Sequence, residues 1–174
     1  MYELSIHILD VAQNAVNAGA NLVEIDVIED ESKDLLTIRI ADDGCGMDAE
    51  LLEGASDPFV TSHEKDVGLG LPLLKRAAEE AGGGLDIEST PGKGTAVTAY
   101  FVLSSIDRLP LGDLSSTMLS LVFGAPQTDF VYRHVRNSKE SVFDTRKVKE
   151  LVGGDVRSDV RTIRLVRQML NECS

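Results

Sequence analysis

Asp10 and Asn14 stand four residues apart in a stretch of helical periodicity, so their side chains leave one face a single turn apart. An asparagine amide oxygen is a neutral, hard donor of the kind Mg2+ accepts while keeping several of its waters. A carboxylate one turn earlier could orient or deprotonate a nucleophile facing a terminal phosphate. Taken alone, the pair is also what a solvated polar face looks like, and that is the simpler reading.

A second group is Asp42-Asp43-Gly44-Cys45-Gly46-Met47. An aspartate at a strand end, followed by alternating glycines, lets backbone approach a flat ligand. Its carboxylate can accept a hydrogen bond from an exocyclic amine. Asp-Gly pairs are equally the commonest hairpin signal. A third group, Val67-Gly68-Leu69-Gly70-Leu71-Pro72, opens a helix. Glycines ahead of a helix N-terminus expose unpaired amides and the positive end of the dipole, which suits phosphate. Pro72 fits the first turn, where its missing donor costs nothing. Lys93 lies in Gly-Lys-Gly-Thr, but no upstream glycine precedes it and no helix follows, so this is a turn and not a phosphate loop. A GxGxxG fingerprint within a βαβ unit is also missing, which disfavours a dinucleotide fold.

These residues need elements to hold them. Leu4, Ile8, Val11, Ala12 and Ala15 form one apolar stripe and predict a helix over 3–18. Glu3, His7, Asp10, Asn14 and Asn17 share its polar face, with His7 near a pocket rim. Period-two alternation predicts strands around Val23–Val27 and Leu36–Ile40. A short helix near 48–54, an irregular stretch 55–67 and a helix over 69–81 follow. Strands near 85–89 and 95–103 are joined by a turn at 91–94. Helices on one face of a mixed, mostly antiparallel sheet make an α+β fold, a two-layer α/β sandwich. Beyond residue 107 the pattern changes. It predicts a helix carrying Leu111, Leu114, Met118 and Leu121, a hairpin over 129–136 and 141–144, and helices near 145–152 and 158–172 capped by Asp144 and Ser158. The expected division is therefore 1–104 and 105–174, the second part packed on the first.

The 174 residues suffice for one full domain and a smaller appendage. A net charge of −12 repels phosphate backbones and anionic lipid, so neither nucleic acid nor a membrane is the expected partner. No apolar run nears the roughly 20 residues of a membrane span, and no basic segment opens a signal peptide. Two distant cysteines, Cys45 and Cys173, suit a reducing cytoplasm and argue against a disulfide framework or a metal cluster.

Each motif is weak by itself; their order is not. Asn14, the DxGxG run, Asp57-Pro58-Phe59, GLGL and Gly94-Thr95 resemble the N, G1, F and G2 boxes of the GHKL ATPases (gyrase, heat-shock chaperone, histidine kinase, MutL) over residues 3–103. Leu9 to Ala20 and Ala41 to Met47 look most like MutL-type ATPases. Val67 to Lys75 and Ser89 to Thr95 look more like histidine kinases. The resemblance implies a Bergerat-type ATP pocket in a stand-alone histidine-kinase-like protein. Asn14 would hold Mg2+, with Asn17 also on the nucleotide side. Asp42, assisted by Thr95, would read adenine, with Gly44, Gly46 and Met47 packed around the base. Phe59 would help wall the pocket, and the amides of Gly68, Leu69, Gly70 and Leu71 would hold the phosphates. Asp10 stands where ATP-hydrolysing members carry glutamate, one methylene longer.

Three functions fit this resemblance. One is a phosphotransferase moving the γ-phosphate to a protein partner, as histidine kinases or anti-sigma-type serine kinases do. The kinase-like second half and the short Phe59–Gly68 stretch favour it. Another is an ATP-hydrolysing switch of MutL or chaperone type that forms a homodimer. The last is a non-catalytic ATP sensor. His63 is expected as a solvated residue of the stretch before Gly68, and His134 as a structural or surface residue of the tail hairpin.

Overall fold

The computed structural model describes residues 3–57, 69–157 and 159–173. The first helix, α1 (Leu4–Asn17), buries Leu4, Ile8, Val11, Ala12 and Ala15, the stripe its periodicity predicts. Glu3 offers it no side-chain cap. The first free amides of α1 are satisfied instead by the distant tail: Leu4 donates to the Pro110 carbonyl at 2.9 Å and Ser5 to that of Leu111 at 2.8 Å. Gly19, with φ of 77°, turns the chain into the sheet.

Strands β1 (Leu22–Asp30) and β2 (Leu35–Asp42) pair antiparallel, Val23 opposite Asp42. A short helix α2 (Ala49–Gly54) is capped by Asp48, which accepts from the Leu51 amide at 2.9 Å. Helix α3 (Gly70–Glu80) buries Leu71, Leu74, Ala77 and Ala78. Strands β3 (Gly84–Thr90) and β4 (Gly94–Val102) form a hairpin, and β4 pairs with β2, placing Thr95 opposite Asp42.

The tail continues the same sheet. Helix α4 (Leu114–Gly124) is capped by Asp113, β5 (Asp129–Arg136) lies parallel to β1, and β6 (Lys139–Asp144) closes the hairpin. The strand order is β3-β4-β2-β1-β5-β6. Helices α5 (Thr145–Val152) and α6 (Val160–Cys173) complete the chain. The helix expected from Leu111 begins only at Leu114. Gly112, at φ of 79°, breaks the chain, and Asp113 takes the Ser116 amide at 2.9 Å. Asp144 caps α5 as expected. Ser158 lies outside the described residues, and the Thr162 amide at the start of α6 is bonded by Asp159 at 2.8 Å.

The sheet is mixed, with one parallel pairing, and one face carries the core. Val23, Ile25, Val27, Leu36, Ile38, Ile40, Phe101, Phe130, Tyr132 and Phe143 all point into it and are buried. The other face is polar: Asp26 pairs with Arg39 and Arg133, both at 3.7 Å, across three strands. Two-sided patterning of this kind is why an antiparallel sheet reads as alternation in sequence. The architecture is the α+β sandwich that the pattern predicts. Among the described residues, no helix is long and apolar enough to cross a membrane.

Candidate functional site

Three pieces of backbone converge on α1. The loop after β2 touches its C-terminal end, where the Cys45 amide donates to the Ala18 carbonyl at 3.0 Å. The start of α3 touches its middle, where a Cβ on Gly70 would stand 3.0 Å from the Cβ of Asp10. The tail grips its N-terminus through Pro110 and Leu111. Helix α1 is therefore the member against which both glycine-rich segments are registered.

The loop after β2 is built backbone against backbone. A Cβ on Gly46, at φ of 68°, would stand 2.1 Å from the Thr90 carbonyl oxygen. One on Gly94, at φ of 110°, would stand 1.9 Å from the carbonyl oxygen of Asp42. Only glycine fits such positions. Gly92 also donates to the Cys45 carbonyl at 2.7 Å, so the β3–β4 turn is stapled to the loop. Asp43 faces away from this seam and anchors the other side, accepting from the Asn21 and Leu22 amides at 2.7 and 2.9 Å.

Asp42 ends β2 half-buried, its Oδ1 accepting from the Gly44 amide at 2.8 Å. Burial pushes its carboxyl above the usual aspartate value, against the pull of the Gly44 and Thr95 backbone amides. Ser89 joins the parts around it. Its hydroxyl accepts from the Met47 amide at 2.7 Å, lies 2.8 Å from the Thr95 Oγ1 and donates to the Gly94 carbonyl at 3.1 Å. Sequence reasoning placed no role on Ser89. The signal that finds it is the hairpin register, which sets Ser89 opposite Thr95.

Asp10 and Asn14 are half-buried, Asp10 against the start of α3, while Asn17 is exposed and accepts from Gln13 at 3.3 Å. Leu69 is exposed and Leu71 buried in the core, so Leu71 can offer a ligand only its backbone. Phe59, Gly68 and His63 lie outside the described residues. His7 departs from expectation. It is only 3% exposed, on a helix against which both α3 and α4 pack. Burial pulls its pKa below the ordinary histidine value, with Asp10 acting in the opposite sense. His134 is structural, as expected: its Nε2 lies 3.0 Å from the Glu29 carboxylate and its Nδ1 3.1 Å from the Cys173 carbonyl.

A desolvated carboxylate at a strand end, a glycine-walled seam beside it, and a helix N-terminus beside an aspartate make an arrangement that could take a nucleotide in a two-layer sandwich. The residues present fit that ligand: one acceptor for a base amine, backbone donors for phosphate, oxygen donors for a cation. The histidine kinase-, DNA gyrase B- and HSP90-like ATPase family matches residues 3–105, and the chain belongs to it. Over 94 residues, 53% of this chain, it is 36% identical to the sensor histidine kinase ZraS of Klebsiella oxytoca, covering 20% of that protein. Over 102 residues, 56% of this chain, it is 34% identical to sporulation kinase D of Bacillus subtilis, covering 19% of that protein. The chain thus spans a fifth or less of the length of these relatives. The Aquifex aeolicus MutL ATPase domain, solved with ADP, superposes with a TM-score of 0.52 at 15% identity, over 88% of this chain and 70% of that one. That likeness shows the same fold.

Proposed function

We propose that this chain binds Mg-ATP and passes the γ-phosphate to a protein partner, as a kinase of the histidine-kinase-like ATPase family. In this reading residues 1–104 are the ATP-binding unit and 105–174 an extension that supports it. Asp42 takes the adenine amine, with Thr95 and Ser89 fixing its surroundings and Gly44, Gly46 and Met47 shaping the base seam. The amides of Leu69, Gly70 and Leu71 face the phosphates, joined on sequence grounds by Gly68, with Phe59 walling the pocket and Asn17 at its edge. Asn14 holds the cation, which supplies charge neutralisation between the phosphates.

Asp10 carries the choice of reaction. An aspartate reaches roughly 1.5 Å less than the glutamate of ATP-hydrolysing relatives, and a misplacement of about 1 Å can cost around a hundredfold in rate. Water activation is therefore poor, while a hydroxyl or imidazole delivered by a partner brings its own position. Similarity at 34–36% identity to two kinases supports the same reading. The expected setting is the cytoplasm, with a protein partner and no nucleic acid.

The test is calorimetric titration with Mg-ATP, followed by measurement of free phosphate, with Asp10→Asn alongside. Tight binding with slow phosphate release, and transfer to a protein purified with the chain, is the expected result. Fast release abolished by Asp10→Asn would instead identify an ATPase switch of MutL type. ATP-dependent dimerisation on a sizing column is the signature of that second reading. ATP binding with neither release nor transfer would leave a sensor.

A further inference from the structure

The two described histidines of this chain are treated differently. His134 has the Glu29 carboxylate on one ring nitrogen, and the Cys173 carbonyl and Tyr132 hydroxyl on the other. His7 is the more deeply buried of the two, at 3% exposed, yet among the described residues its Nδ1 has no hydrogen-bond partner. Buried polar atoms are nearly always paired, and an unpaired one calls for an explanation in function or in a missing partner. An apolar residue at position 7 would satisfy the packing without leaving an orphan.

The surroundings indicate the partner. His7 precedes Asp10 by three residues on one helix, the spacing at which side chains meet. Asp10 is the carboxylate that acts on His7 electrostatically, and burial favours the uncharged ring. The start of α3 presses on Asp10 through Gly70, which limits where its carboxylate can swing. A short aspartate in the place of a glutamate is also the residue most in need of external orientation.

We propose that His7 is a positioning residue: its Nδ1–H donates to the Asp10 carboxylate, directly or through one water, when a nucleotide occupies the site. This rests on the reading of Asp10 as the group that faces the terminal phosphate. The uncharged ring aims the carboxylate without forming an ion pair with it.

The test uses the full chain with its histidines 15N-labelled, without nucleotide and with a non-hydrolysable Mg-ATP analogue, and calorimetry run on the same samples. With the analogue bound, the His7 Nδ1 resonance is expected to move to the protonated, hydrogen-bonded position, and Asp10→Ala is expected to cancel that movement. In turnover, His7→Leu is expected to lower the rate by at least about tenfold at unchanged analogue affinity. His7→Asn, which keeps a donor at the Nδ1 position, is expected to restore the rate to within about threefold. An analogue that binds while the His7 signal stays still, or moves equally in Asp10→Ala, overturns the positioning role. An analogue that does not bind at all overturns the nucleotide reading beneath it.

Discussion

Ionised Asp42 is held at a position where the unliganded protein would be better off with a neutral group. Its carboxyl is raised in the folded state, so the stability it contributes is present below the unfolded aspartate value and lost as pH rises through the folded one. At neutral pH the charge is therefore a cost, one that the proposed adenine contact would account for. Asp42→Asn is expected to leave the unliganded Tm unchanged or higher while nucleotide affinity falls ten- to a hundredfold, about the worth of a charge-assisted hydrogen bond. Calorimetry and a thermal melt on one sample check both halves. Affinity is likewise expected to decline on acidification from above the ordinary aspartate value, as the acceptor is protonated, and Asp42→Asn is expected to flatten that pH profile. Gly94 sits at the opposite extreme, fixed by backbone alone. Gly94→Ala places a Cβ against the Asp42 carbonyl at a positive φ, and about 1–3 kcal/mol of lost stability is expected from urea unfolding.

Among the elements, α1 decides the site because other segments hold it at both ends. Its N-terminal amides are taken by Pro110 and Leu111, and the Thr117 hydroxyl reaches the Ser5 carbonyl at 3.3 Å. Just beyond its C-terminus, the Thr128 hydroxyl donates to the Ala20 carbonyl at 3.0 Å, and Asp129 donates its amide to the Asn21 carbonyl at 2.8 Å. Thr128→Val keeps the shape but orphans a buried carbonyl. Thermal or urea unfolding is expected to show a loss of about 1–3 kcal/mol. Polar periodicity marked Asp10 and Asn14 as co-facial and was right about their spacing. It misread His7, because helical phase alone says which residues share a side and not whether a second helix covers that side. Here both α3 and α4, distant in the chain, pack on α1.

At the scale of the whole molecule, the tail is part of the sheet. β5 lies between β1 and β6, so removing residues 105–174 would turn β1 into an edge and strip Phe130, Tyr132 and Phe143 from the core. A fragment ending at residue 104 is expected to lose cooperative unfolding, as circular dichroism would show. The joint is also ionic. Burial alone would raise the Glu29 carboxyl, but hydrogen bonds from Arg136 and His134, with their charges, outweigh it and hold it below the ordinary glutamate value. A depressed carboxyl contributes stability that is present above the unfolded value and lost as pH falls through the folded one. Glu29→Gln is therefore expected to lower Tm at neutral pH and to shrink its fall at acid pH, read from melts across the carboxylate range.

By itself the sequence determined whatever depends on local pattern: α1 and its stripe, the strands by alternation, the glycine-rich loops, and the ordered motifs of the ATPase family. Those features are legible because period, glycine and capping residues act over a few neighbours. The tertiary structure alone decided that β5 runs parallel to β1, that Ser89 ties Met47 to Thr95, that α1 borrows its cap from Pro110 and Leu111, and that His7 is buried with a nitrogen unpaired among the described residues. Each of these depends on backbone and side chains brought together across long stretches of chain, and one-dimensional periodicity carries no record of which faces will meet.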